Sequence, residues 1–298
     1  MNHSRRQFLT RSGSLALASP AFAGLLQAEA TLDTPKYEIG LSQYSLRAMF
    51  KDGSLDPLDF AQFTVDTFGI KAIDLWEGGL PADKLDDRSY LAKLRQRSVD
   101  AGTRLFLLMT GALDAKPENA QSSRQKLLPS IDRSAALGVQ YLRVFLRAPG
   151  DDKRVGVEAS VEALKPLADT AAEKDVTIVI EPGASKLSQR GAFLAEVCKQ
   201  LNHPAVRLMP DFGKQVNNVY DGTAAMMPYT ATISCKMHSF DENGKQPHFD
   251  YNRLLKIIDE GDYRGFLTIE WEGSKLKPVP GVLASKKLIE AAITNLSS

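Results

Sequence analysis

From residue 37 onward, short apolar runs alternate with amphipathic stretches, and the alternation repeats eight times. The runs expected as strands are 37–43, 72–76, 104–109, 141–146, 177–181, 207–211, 232–238 and 266–271. Several, such as LFLLM and TIVI, are apolar at consecutive positions rather than alternate ones. Parallel strands covered on both faces have this pattern, because each side of the sheet meets apolar packing. Helices are expected between them at 58–68, 89–101, 126–137, 157–174, 192–201, 222–227, 250–260 and 280–295. Asp56-Pro57 opens the first with a capping carboxylate and a first-turn proline, while Gly102 and Gly138 close the second and third. Eight strand–helix units predict an α/β fold, a single (β/α)8 TIM barrel over residues 31–298. An open doubly wound sheet would call for a GxGxxG or a P-loop after an early strand, and the chain has neither.

Four chemistry-bearing residues end four successive strands: Glu181, Asp211, His238 and Glu270, at spacings of 30, 27 and 32. A barrel gathers the C-terminal ends of its strands at one mouth, so these side chains are expected to converge. Each pair of like charges at roughly 4 Å costs on the order of 4 kcal/mol at an effective dielectric of about 20. A cation converts that repulsion into coordination, so the four are expected to hold one divalent metal ion. Three carboxylates and an imidazole suit Mn or Mg, with Co and Zn as alternatives.

Other strand-end residues are candidates for substrate contact. Lys236 shares a strand face with His238, and Gln43 and Arg47 follow the first strand. Trp76 and Glu77 end the second, Lys214 follows Asp211, and His248 lies in the loop after the seventh. Arg143 lies inside the fourth strand, where a charge needs a partner, and is expected to support the glutamates from beneath.

Lys and Arg number 37 against 36 Asp and Glu, dispersed along the chain, so no basic stripe for nucleic acid is expected. Cys198 and Cys235, the only cysteines, are too few for a disulfide framework and are expected as buried thiols. Ser4-Arg5-Arg6-Gln7-Phe8-Leu9 has the twin-arginine form, followed by a modestly apolar stretch and small-residue cleavage sites. Residues 1–30 are therefore expected to be a removable Tat signal, with the Tat export machinery as partner and a periplasmic destination. No later apolar run approaches the ~20 residues of a membrane span. Nothing in the sequence reports the oligomeric state.

The segments IGLSQYSLRAMFKDGSLDPLDFA, FGIKAIDLWEGG, MPDFGK, KMHSFDENG and YRGFLTIEWEG together resemble the xylose-isomerase-like superfamily of sugar phosphate isomerases and epimerases. The resemblance spans nearly all of residues 31–298. It implies a TIM barrel in which Glu181, Asp211, His238 and Glu270 hold the ion, and Glu181 and Glu270 pass a proton on opposite faces of a small carbohydrate substrate. The implied reaction is sugar or keto-sugar isomerisation or epimerisation through a metal-stabilised enediolate. A metal-dependent lyase or dehydratase acting on a keto-sugar, keto-inositol or 3-keto-glycoside begins with the same proton abstraction and is the alternative. A non-catalytic sugar-binding protein is the second. Pro182-Gly183 and Lys214 depart from the pattern of many relatives, which carry Asn-His and Asn there. Both departures bear on substrate identity.

Overall fold

The computed structural model describes residues 35–216 and 218–296. The apolar runs form eight parallel strands: β1 (Tyr37–Ser42), β2 (Ala72–Trp76), β3 (Arg104–Asp114), β4 (Tyr141–Arg147), β5 (Thr177–Glu181), β6 (Val206–Leu208), β7 (Ile233–Met237) and β8 (Gly265–Trp271). Their order, β6-β5-β4-β3-β2-β1-β8-β7, curls the sheet on itself. Among the described residues, the β6–β7 seam is joined by isolated bridges, Leu208 to Thr230 and Asp211 to Ser234, rather than by a full ladder. Pro210 explains the short β6, since it has no N–H to donate; its carbonyl accepts from Ser234 N at 2.9 Å instead. Asp211 consequently lies past β6 rather than at its end, and His238 lies one residue past β7.

Nine helices among the described residues surround the sheet: α1 (Arg47–Lys51), α2 (Phe60–Phe68), α3 (Arg88–Asp100), α4 (Pro117–Leu137), α5 (Lys153–Ala172), α6 (Gly191–Leu201), α7 (Val219–Met226), α8 (Tyr251–Glu260) and α9 (Pro278–Leu296). Aspartates cap several of them: Asp87 accepts from Ser89 and Tyr90 N, Asp152 from Val155 N, and Asp250 from Asn252 N. The α1 turn was not expected, and α4 begins at 117 rather than 126. Its Asn- and Ser-rich first turns are weak helix formers. Ser123 compensates by accepting from Asp114 N at 2.8 Å, which ties the helix to β3.

The larger core lies between sheet and helices, with Leu142, Ile178, Ile180, Leu267 and Ile269 pointing outward against residues such as Leu164, Leu167 and Leu254. A smaller cluster of Ala72, Phe106, Met109, Val179, Met209 and Phe266 meets on the sheet's inner face, where Phe106 stacks on Phe266 at 3.9 Å. Period-two alternation then hands the next inward positions, toward the strand ends, to polar residues. Both cysteines are buried and free.

At the start of α6 a Cβ on Gly191 would stand 2.2 Å from the carbonyl oxygen of Gly222 in α7. Backbone faces backbone there, so no side chain can yield. Gly191→Ala is expected to destabilise by about 1–3 kcal/mol, read as a lowered urea midpoint; an unchanged midpoint would contradict this close approach.

The expected Tat signal lies outside the described residues. No described helix is long and apolar enough to cross a membrane.

Candidate active site

Glu181, Asp211 and Glu270 converge as expected. Each offers a carboxylate oxygen within 4.8 Å of the others, and all three are buried. They come from the end of β5, the turn after β6 and the penultimate position of β8. Gly213 N donates to Asp211 Oδ1 at 2.8 Å, fixing that turn. Ser234 Oγ lies 2.8 Å from both Asp211 Oδ2 and Glu270 Oε2, joining the two carboxylates.

His238 does not join them. Its Nε2 lies 3.0 Å from where a Cβ on Gly213 would sit, beside the Lys236 stem, and it is absent from the converging ligand atoms. The paired ladder of β7 ends at Met237, one residue before His238. Lys236, still within β7, points inward and is 1% exposed. Its Nζ is 2.9 Å from Glu270 Oε1, 3.3 Å from Asp211 Oδ2, 3.9 Å from Glu181 Oε1 and 2.5 Å from Glu272 Oε1. A Cβ on Gly213 would come within 2.8 Å of the Lys236 stem, so the glycine in the turn makes room for the lysine.

Arg143, from β4, supports the site from the other side. Its Nε is 2.9 Å from Glu181 Oε2, one N–H donates to the Thr110 carbonyl at 2.7 Å, and its guanidinium covers the Phe145 ring. The Arg143–Glu181 contact is an ion pair without hydrogen-bond alignment, and among the described residues neither Glu181 oxygen has a nitrogen donor. Asp74, buried in β2, accepts from Gln43 N through Oδ1 at 3.1 Å.

Burial and neighbours drive these carboxyls apart. Burial raises Glu181 well above the usual carboxylate range, with Asp211 and Glu270 adding to it against the opposing pull of Arg143 and Lys236. Burial also raises Asp211 and, assisted by Glu270, Asp74. Glu270 is the exception: burial pushes it up, but Lys236, through charge and hydrogen bond, with Arg143 and Ser234, outweighs burial and holds it at about 2. Burial opposes the Lys236 charge, and Asp211, Glu270, Glu181 and Glu272 more than restore it. The site thus holds one ionised glutamate and one that favours its proton, the division of roles that acid–base chemistry needs.

The carboxylate triad is a donor set that could hold a metal ion, but the fourth partner is an ammonium rather than an imidazole. An ion on Glu270 Oε1 at about 2.2 Å would stand within about 5 Å of Lys236 Nζ. At an effective dielectric of about 20 that repulsion is roughly 6 kcal/mol or more. The residues as arranged do not fit a divalent ion alongside Lys236.

The remaining candidates divide. Glu77 is committed to structure: Oε1 accepts from Arg133 at 2.7 Å and Oε2 from Thr110 at 2.6 Å, so it is not free for a substrate. Gln43 spends its oxygen on Trp76 N at 2.8 Å, tying β1 to β2. Arg47 donates to the Trp271 carbonyl at 2.9 Å. Arg47 and Trp76 nevertheless line a cavity of about 600 Å³ among the first two strand–helix loops. Lys214 is half-buried in the turn after Gly213, with no ion pair among the described residues. His248 is exposed and lines a separate cavity of about 840 Å³ against α8 and α9. Ser234, Glu272 and Asp74 were not anticipated, although each sits two residues from a recognised inward position or carries charge inside a strand.

Comparison with known proteins agrees with this fold. A 48-residue stretch, 16% of this chain, is 40% identical to the C-glycoside deglycosidase alpha subunit of Arthrobacter globiformis, and spans only 14% of that relative's length. The solved structure of IolI with a bound zinc atom superposes with a TM-score of 0.69 at 14% identity, covering 87% of this chain and 98% of that one. The 3-keto-D-glucoside 4-epimerase of E. coli superposes with a TM-score of 0.61 at 11% identity, covering 86% and 99%. The family profile described as xylose isomerase-like TIM barrel matches residues 64–295. On that match, and on the barrel its strands build, the chain belongs to the xylose isomerase-like TIM barrel family.

Proposed function

We propose that the protein is an enzyme acting on a small keto-sugar or keto-glycoside, moving a proton at the carbon beside the carbonyl. The observation that carries this reading is the convergence of Glu181 and Glu270, buried on one focus with Asp211, where burial raises Glu181 and Lys236 lowers Glu270. Glu270, ionised, accepts the proton from carbon; Glu181, protonated, returns one or delivers it to a leaving oxygen. Arg143 holds Glu181 in place, and Ser234 fixes Glu270 against Asp211. Return to carbon gives isomerisation or epimerisation, whereas delivery to a departing oxygen gives elimination. The epimerase and deglycosidase similarities support both outcomes. A divalent ion, Mn, Mg, Co or Zn, has the triad in its favour and the Lys236 ammonium against it, so no step here runs through a metal.

In deuterium oxide, a panel of keto-sugars and 3-keto-glycosides is expected to show solvent deuterium entering the position next to the carbonyl, followed by NMR. Conserved mass marks isomerisation, and release of water or an aglycone marks elimination. Failure of every substrate to exchange, with the protein folded, would sink the proposal.

A further inference from the structure

We infer that Lys236 is the resident cation of this site: its ammonium takes the place among Glu181, Asp211 and Glu270 that a divalent ion would need, and the site works without a metal. The role given to this ammonium in turnover rests on the proton-transfer reading above; its occupation of the cation position does not. The geometry is specific. Nζ lies within 4 Å of all three converging carboxylates and of Glu272. The stem reaches that point through the gap left by Gly213, and β7 aims it by the same alternation that aims Ser234. With Arg143 against Glu181, two fixed positive charges already face the buried carboxylates.

An ammonium has three N–H donors; here two donate to Glu270 and Glu272, and Asp211 Oδ2 stands 3.3 Å away as a further counter-charge. Glu272 is the least buried of these partners, its side chain 18% exposed, against 0% for Asp211 and 5% for Glu270. A substrate carbonyl oxygen can therefore replace Glu272 while the two deeper contacts keep Nζ in position. The carbonyl oxygen gains negative charge as Glu270 removes the neighbouring proton, and the ammonium hydrogen-bonds that oxygen without transferring a proton to it. Lys236 is thereby placed to do with a hydrogen-bonded charge what a metal does by coordination.

The test uses the full-length protein as purified. Elemental analysis is expected to find far less than one equivalent of Mn, Co or Zn. Calorimetric titration with Mn²⁺ and with Zn²⁺ is expected to show no binding at the site, and EDTA to leave deuterium exchange unchanged. Lys236→His, which offers an imidazole at the same place, is expected to gain about one equivalent of Zn²⁺ and a rise in Tm with added Zn²⁺. One tightly held equivalent in the unaltered protein, or saturable Mn²⁺ binding lost in Glu270→Gln, would overturn the inference. Lys236→His misfolding leaves the titration of the unaltered protein decisive. Absence of exchange on every keto-sugar would overturn the proposed reaction, while the metal titrations still decide whether Lys236 is the cation.

Discussion

Glu181→Gln and Glu270→Gln are each expected to lower kcat/KM by roughly 10²–10⁴-fold, the usual worth of a positioned acid or base. Glutamine preserves shape and burial but can neither accept nor release the proton. The two variants differ in one respect. Glu270→Gln removes the ionised partner 2.9 Å from Lys236 and leaves the ammonium with Asp211 and Glu272. Glu181→Gln removes the group on which Arg143 rests. Steady-state kinetics on the substrate identified by exchange, with circular dichroism melts as a control for folding, check both. If Glu270→Gln retains more than about a tenth of the activity, Glu270 is not the base.

Arg143→Leu is expected to cost about 3 kcal/mol of stability, because the packing and hydrogen bonding of a large buried side chain are lost. Arg143 supplies the donor on the Thr110 carbonyl and covers Phe145, so hydrogen bond and packing fall together. Glu181→Gln in the same background is expected to add little further loss, because a Glu181 that holds its proton has no charge for Arg143 to balance. Urea denaturation of the four proteins of this double-mutant cycle measures the coupling. Full additivity would show that the ion pair contributes nothing beyond packing.

The strand–helix order could be read from consecutive apolar runs, and the convergence of Glu181, Asp211 and Glu270 from their spacing on that order. The carboxylates were accessible because a barrel brings strand ends together whatever the loops do. The choice between Lys236 and His238 was not accessible in the same way. Both sit at the end of β7, and their difference depends on where the ladder stops, which is set by pairing with β8 rather than by local pattern. Glu77 looked like a pocket residue for the same reason. Its partner Arg133 lies 56 residues away in α4, and no short-range signal announces that contact. Asp74 did leave a signal, a charge in the middle of the apolar run AIDLW, where only another buried polar group can accompany it.

The β6–β7 seam has a consequence for how this barrel stays shut. Asp211 stands on one side of it, and Ser234 and Lys236 stand on the other, so the contacts that shape the site are also the clasp of the ring. Ligand occupancy and ring closure are thereby thermodynamically linked: a molecule that bridges the two sides tightens the seam, and any opening of the seam disassembles the charge cluster before it disturbs the apolar layers beneath.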